Sequence, residues 1–179
     1  MPDRFPCEAV LKDGKRLYLR RLTSEDEGAL YAFFQRLPEN VRRMAWKDLS
    51  SRAQIHHWTS DIDYEKTLPI VAVDGARVVA DATLHYRRGG PLRLVGRIRW
   101  LIDPDFRRRG LGTTLVNHFI GVARTNGLRH LSCMLATNLE AHAIEVLIGL
   151  GFKATLFPAY GIDPDGKPHD MTQMVLGLV

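Results

Sequence analysis

The sequence predicts an α/β fold, with an antiparallel strand meander in its first half and a parallel strand–helix–strand unit in its second. Three observations carry this reading. Residues 68–73, 77–86 and 92–102 are strand-like stretches separated by the turn signals Asp74-Gly75 and Gly89-Gly90-Pro91. A helical pattern over residues 110–126 then puts Leu111, Leu115, Phe119 and Val122 on one face. A strand at 131–135 follows it, and strands joined by a helix pair in parallel through a right-handed crossover.

The other elements follow in order. Leu17-Tyr18-Leu19-Arg20-Arg21-Leu22 alternates apolar and polar residues, as a half-buried strand does. Ser24 with Glu27 three residues on reads as a capping box. The helix behind it spaces Leu30, Phe33, Phe34 and Leu37 along one face and stops at Pro38. Residues 40–60 read as one or two shorter helices anchored by Ile55 and Trp58. Gly127 is placed to cap the 110–126 helix, and a further helix over 139–148 stops at Gly149 and Gly151. Strands at 152–160 and 171–178 flank the turn Asp163-Pro164-Asp165-Gly166. With no repeat, linker or low-complexity stretch, residues 1–179 read as a single domain.

Composition excludes several classes. The 179 residues are 45% hydrophobic and 25% charged, enough for a packed core. Cys7 and Cys133 are too few for a disulfide framework or a four-ligand zinc site, and no metal is expected. No signal-like apolar run follows Met1-Pro2-Asp3-Arg4-Phe5-Pro6. The longest apolar stretch, Ile144–Phe152, is too short to span a bilayer and contains Glu145. A cytoplasmic protein without a membrane partner is expected. A net charge of +5 and a pI near 9.5 favour anionic partners, although a solvated basic surface explains them equally well.

The stretch from Trp100 to Thr114 carries the chemistry. It sets Asp103-Pro104-Asp105-Phe106-Arg107-Arg108-Arg109-Gly110-Leu111-Gly112-Thr113 between a strand and a helix N-terminus. Free amides and the helix dipole favour an anion there, and Gly110 and Gly112 lack the Cβ that would hold a phosphate away. The arginines add charge-assisted donors. A Walker A loop is excluded, because no Lys stands at its place. A dinucleotide fingerprint is excluded because residue 115 is Leu where a third glycine is needed.

The segment does match Arg-x-x-Gly-x-Gly, as Arg107-x-x-Gly110-x-Gly112, and so resembles the GNAT superfamily of N-acetyltransferases. Pro104, Leu150-Gly151-Phe152 and the closing stretch Asp163 to Met174 are similar to family features. The opening, from Lys12 to Leu37, resembles the bacterial protein-lysine acetyltransferase subgroup. The likeness spans nearly the whole chain. It implies a GNAT-like mixed, largely antiparallel sheet of about six to seven strands, with helices on both faces and a splayed central strand pair. It also implies acetyl-CoA as acyl donor. Trp100, Leu101 and Ile102 would run beside the pantetheine arm, with amides from Arg108, Arg109, Gly110, Leu111, Gly112 and Thr113 on the pyrophosphate. Asn138 would bond the pantetheine.

The family's catalytic pattern breaks here. The glutamate base of the lysine acetyltransferase subgroup falls on Arg97, and the tyrosine acid falls on Leu147; Cys133 stands where another branch has its glutamate. Asp81 and His85, on one face of a strand, and Tyr160, at a strand end, are the substitutes expected at the cleft. Against that, Asp81 would simply pair with Arg97 or Arg99. Glu145, His142 and Asp170 are weaker candidates. Arg97, Arg99 and Arg93 would favour an acceptor that carries a carboxylate or phosphate, unless they neutralise buried acids.

The reading is an acetyl-CoA-dependent N-acetyltransferase acting on a primary amine of a small molecule or protein, by direct attack in a ternary complex. A non-catalytic acyl-CoA sensor is the second reading, motivated by the missing Glu and Tyr. A nucleic-acid-binding domain is the third, and lacks a basic recognition helix or stacking platform. Exposed strand edges in the closing hairpin leave room for a homodimer.

Overall fold

A computed structural model describes residues 5–45 and 48–178. Met1 to Arg4, Trp46, Lys47 and Val179 lie outside it, and with them most of the Met1–Pro6 stretch and two residues of the 40–60 region. The described elements are β1 (Cys7–Val10), β2 (Arg16–Arg21), α1 (Glu27–Arg36), α2 (Glu39–Arg43), α3 (Arg52–Ser60), β3 (Thr67–Asp74) and β4 (Arg77–His85). They continue with β5 (Val95–Ile102), α4 (Leu111–Thr125), β6 (His130–Ala136), α5 (Ala141–Gly149), β7 (Lys153–Ile162) and β8 (Pro168–Gly177). One sheet holds all the strands in the order β1-β2-β3-β4-β5-β6-β8-β7, antiparallel except for the β5–β6 pair.

The sheet has eight strands rather than six or seven. The extra one is β1, whose four residues pair with β2 from Cys7↔Leu19 to Val10↔Arg16. So short a strand beside Pro6 and a charged turn gives no periodic signal of its own. Strand β5 begins at Val95, not Leu92, because Arg93 and Val95 N–H bond back to Gly90 and Leu92 carbonyls in a turn. Helix α5 begins at Ala141, not Leu139, because residues 137–140 form a turn on the Ala136 carbonyl. The cap before α1 also sits one residue early: Thr23 N–H donates to the Asp26 carboxylate (2.8 Å), which Arg20 grips with both nitrogens (2.6 and 2.7 Å).

Helices cover both faces. On one, Leu115, Phe119 and Val122 of α4 pack with Leu84, Ile98 and Leu131. On the other, Leu30, Phe33 and Phe34 of α1 and Ile55 of α3 pack with Val71, Val73 and Val78. Each such fully buried side chain stabilises the fold by roughly 1.5–3 kcal/mol.

The sheet is zipped unevenly at its centre. β5 and β6 pair only at Val95↔His130, Gly96↔Leu131 and Arg97↔Ser132. β6 then follows β8, with which it pairs over seven positions from His130↔Gly177 to Ala136↔Met171. Gly96 permits the tight closed end, because a Cβ there would lie 2.8–2.9 Å from Leu84, Leu128 and Leu131. Beyond Arg97 the two strands part.

Candidate functional site

The wide end of that gap opens beside the turn that precedes α4. Asp103 builds this turn: it is 1% exposed, and its carboxylate takes Arg36 Nε (2.8 Å), Arg77 Nη2 (2.8 Å) and the Asp105 amide (3.2 Å). Burial alone would raise its pKa, but Arg36 and Arg77 outweigh that and hold it below the usual carboxylate range. Residues 104–106 make one 3-10 turn, after which Arg108 (φ 58°) and Gly110 (φ 89°) take left-handed conformations. For Arg108 that costs about 1–2 kcal/mol, and such reversals turn successive amides into an anion-binding concavity.

Two of the arginines support the turn itself. Arg109 stacks over Phe106 (4.9 Å), donates to Asp13 (2.6 Å) and to the Asp105 carbonyl (3.1 Å), and its own carbonyl accepts from Lys12 N–H (2.9 Å). Arg107 Nε donates to the Ile102 carbonyl (3.1 Å). A Cβ on Gly112 would meet Ile102 Cδ1 only at 3.5 Å and Trp100 Nε1 at 3.7 Å, so the glycine leaves room over the strand end. A left-handed amide turn, a helix N-terminus and a strand gap fit a pyrophosphate followed by an extended chain.

On the α1/α3 side of the sheet lies a cleft of about 490 Å³. Its floor follows from register. Cross-strand partners share a face, so three rows form: Val71–Asp81–Leu101, Pro69–Thr83–Arg99 and Thr67–His85–Arg97. Rows lie two residues apart, about 7 Å. Leu22, Leu30, Phe34, Trp58 and Ile62 form an apolar roof, with His57, Asp61 and the Asp63–Lys66 pair (2.8 Å) at the rim.

Burial pushes the Asp81 carboxyl up to about 7, and the charge of Arg99, one row away, does not offset it. Burial likewise works against the charge of Arg99, with Glu140 as its main electrostatic support. The two strands therefore bring Asp81, His85, Arg97 and Arg99 together as expected. Asp81 faces Leu101 rather than either arginine, and Arg99 is its diagonal neighbour.

Other expectations separate from the cleft. Tyr160 is 67% exposed on the outermost strand, its ring tilted against Phe157 (5.5 Å between centroids), beside a bulge between Phe157 and Gly161. It is not among the cleft-lining residues, because β8 stands between β7 and β6. Asn138 is exposed in the turn after β6. Cys133 is buried, and burial pushes its thiol up to about 12, well away from a reactive thiolate. Leu147 is fully buried in the α4/α5 core. Glu145 and His142 lie side by side on the exposed face of α5, and Asp170 is spent on the Ala159 amide (2.8 Å).

Sequence reasoning missed Glu140. Its carboxylate accepts from Ala136 N–H (2.7 Å) where β6 ends, and burial raises its pKa against that bond and the charge of Arg99. No periodicity marks it, since it lies in a turn. The apolar roof was missed as a cleft wall, because Leu30 and Phe34 of α1 and Trp58 of α3 read as core positions, while Leu22 and Ile62 lie in connecting segments.

Comparison with known proteins gives this arrangement a class. Residues 16–153 match the family model described as acetyltransferase (GNAT) domain, and the chain belongs to that family. It is an acetyltransferase, and its acyl donor is acetyl-CoA. Its fold is similar to the GNAT domain of S. lividans PAT (TM-score 0.78, 19% identity, 99% of each chain covered). The ribosomal-protein-S5-alanine acetyltransferase of Vibrio fischeri is comparably similar (0.79, 16%, 94% and 97%). So is yncA, a putative acetyltransferase of Salmonella typhimurium solved with acetyl-CoA (0.74, 20%, 91% and 94%). A search of curated proteins gave no match. Among the described residues, no helix is long and apolar enough to cross a membrane, and no cluster of His, Cys, Asp or Glu could hold a metal.

Proposed function

We propose that this chain transfers the acetyl group of acetyl-CoA to a primary amine by direct attack in a ternary complex, with Asp81 as general base. The position of Asp81 carries the reading: it faces Leu101 across the strand pair, at the row nearest the splayed end. A carboxyl titrating at about 7 is half ionised at neutral pH, well matched to taking a proton from an ammonium group. Bound acetyl-CoA supplies an activated thioester carbonyl. Backbone groups of Trp100, Leu101 and Ile102 orient that carbonyl, with Asn138 bonding the pantetheine. Amides from Arg108 to Thr113, together with Arg107 and Arg108, hold the pyrophosphate. Asp81 strips the ammonium proton, carbon–nitrogen bonding replaces carbon–sulfur bonding, and the second nitrogen proton goes to the departing thiolate. His85 sits two rows further along and borders the acceptor.

The first test is calorimetric titration with acetyl-CoA, followed by an amine panel read by thiol release. Micromolar binding and amine-dependent thiol release support the reading; binding without release from any amine reduces the chain to a donor-binding module. A homodimer belongs to the same proposal, since β7 ends the sheet and exposes Leu156 and Ile162. Light scattering reads the mass directly.

A further inference from the structure

The cleft has a polar floor and an apolar roof, and the floor is ordered. From the splayed end outwards its β5 column runs Leu101, Arg99, Arg97, while Asp81 occupies the first row of the β4 column. An amine over Asp81 therefore has a guanidinium one row away and a second one beyond it. Both arginines line the same cleft as Leu22, Leu30, Phe34 and Trp58.

We propose that the acceptor is an α-amino acid with an apolar side chain, its amino group at Asp81, its carboxylate on Arg99 and Arg97, and its side chain under the α1/α3 roof. This rests on the reading of the cleft as the acceptor site.

Three features of the site select that chemistry. A planar guanidinium binds a carboxylate through two parallel bonds, and its length lets Arg99 reach into the first row. Burial disfavours the charge of both arginines, with Arg87 adding repulsion at Arg97 and Arg97 adding it at Arg99; Glu140 and Asp81 already support Arg99, and a carboxylate on the acceptor adds to that support. A second cation on the acceptor, as in a diamine, meets that repulsion instead. The rim does not reverse the balance: Asp63 is satisfied by Lys66, leaving Asp61 and His57 at the mouth. A volume near 490 Å³ suits one amino acid beside the acetyl group, at the size of ordinary small-molecule sites.

The test compares leucine, phenylalanine and methionine with their carboxamides and with a simple alkylamine, by thiol release at saturating acetyl-CoA. The free acids are expected to exceed their amides at least tenfold in kcat/KM. That ratio should fall towards one in Arg99→Gln and in Arg97→Gln, with Arg99→Lys intermediate; acetyl-CoA titration of each variant reports whether it folds. Amides turned over as well as acids by the wild type would overturn the proposal, as would a ratio unchanged in folded variants. Thiol release with alkylamines or diamines alone would also overturn it while leaving the transferase reading standing, whereas no release with any amine removes that reading itself.

Discussion

The two halves of the site are made of different material. The donor half, residues 100–113, is built of backbone: left-handed residues at 108 and 110, a helix start, and a strand end that pairs with β4 but not with β6. The acceptor half is built of side chains that three strands bring into rows from Thr67 to Leu101. Backbone sites need glycines and turns at fixed spacing, and spacing is local. Side-chain rows need the register of strands that are far apart in sequence. The difference predicts how each half fails: single substitutions in the acceptor half should disable chemistry and spare binding of acetyl-CoA, while those in the donor half should do the reverse.

The largest effect is expected at Asp81. Asp81→Asn removes the base but keeps the shape, so the rate should fall about 10²–10⁴-fold, the range of general-base catalysis. Acetyl-CoA affinity should hold. The wild-type rate should climb with pH and level off above about 7, as the carboxyl ionises, and the Asn variant should lose that limb. Steady-state thiol release from pH 5 to 9 reads both. Gly112→Trp should act in the opposite sense, weakening acetyl-CoA about 100-fold in calorimetry by filling the space over Ile102 and Trp100. Gly112→Ala is the control: its Cβ meets only ordinary contacts at 3.5 and 3.7 Å.

That contrast also explains what the sequence disclosed. Arg107-x-x-Gly110-x-Gly112 marked the donor turn because its parts are local: Gly110 takes the left-handed turn, and Gly112, two residues on, leaves room over the strand end. The parting of β5 from β6 was expected from family likeness alone; its cause, seven pairs between β6 and β8 against three with β5, involves partners some 40 residues apart. Asp81, His85, Arg97 and Arg99 were legible as one face, because alternation fixes sides. Which of them faces which was not, since that needs register. Tyr160 misled for a related reason: its place at the end of the 152–160 strand is easy to read, but the order β6-β8-β7 and the bulge before Gly161 carry it outward.

A third prediction concerns the joint between the halves. Asp103 ties α1 and the start of β4 to the donor turn through Arg36 and Arg77. Asp103→Ala leaves both guanidiniums without that carboxylate and should lower stability by roughly 2–3 kcal/mol in urea unfolding, below the 3–5 kcal/mol of fully buried pairs because the arginines are partly solvated. The folded carboxyl is held below its unfolded value near about 4, so its contribution is complete above that pH and lost as pH falls through the depressed value. The gap between wild type and variant should therefore narrow in strong acid.

The smallest effect is expected at Tyr160, and it tests where the acceptor half ends. With β8 between β7 and β6, the backbone of β7 stands about 14 Å from that of β5 at ordinary strand spacing, and its ring rests on Phe157 in solvent. A phenol there has no reach to a thiolate beside Leu101. Tyr160→Phe should change kcat by less than twofold and leave the pH profile intact. A loss of tenfold or more would mean that the β7–β8 hairpin folds over the cleft when substrates are bound. The link between Asp165 and Arg43 of α2 (2.5 Å), which already ties that hairpin to the roof side, would then be the contact to sever next.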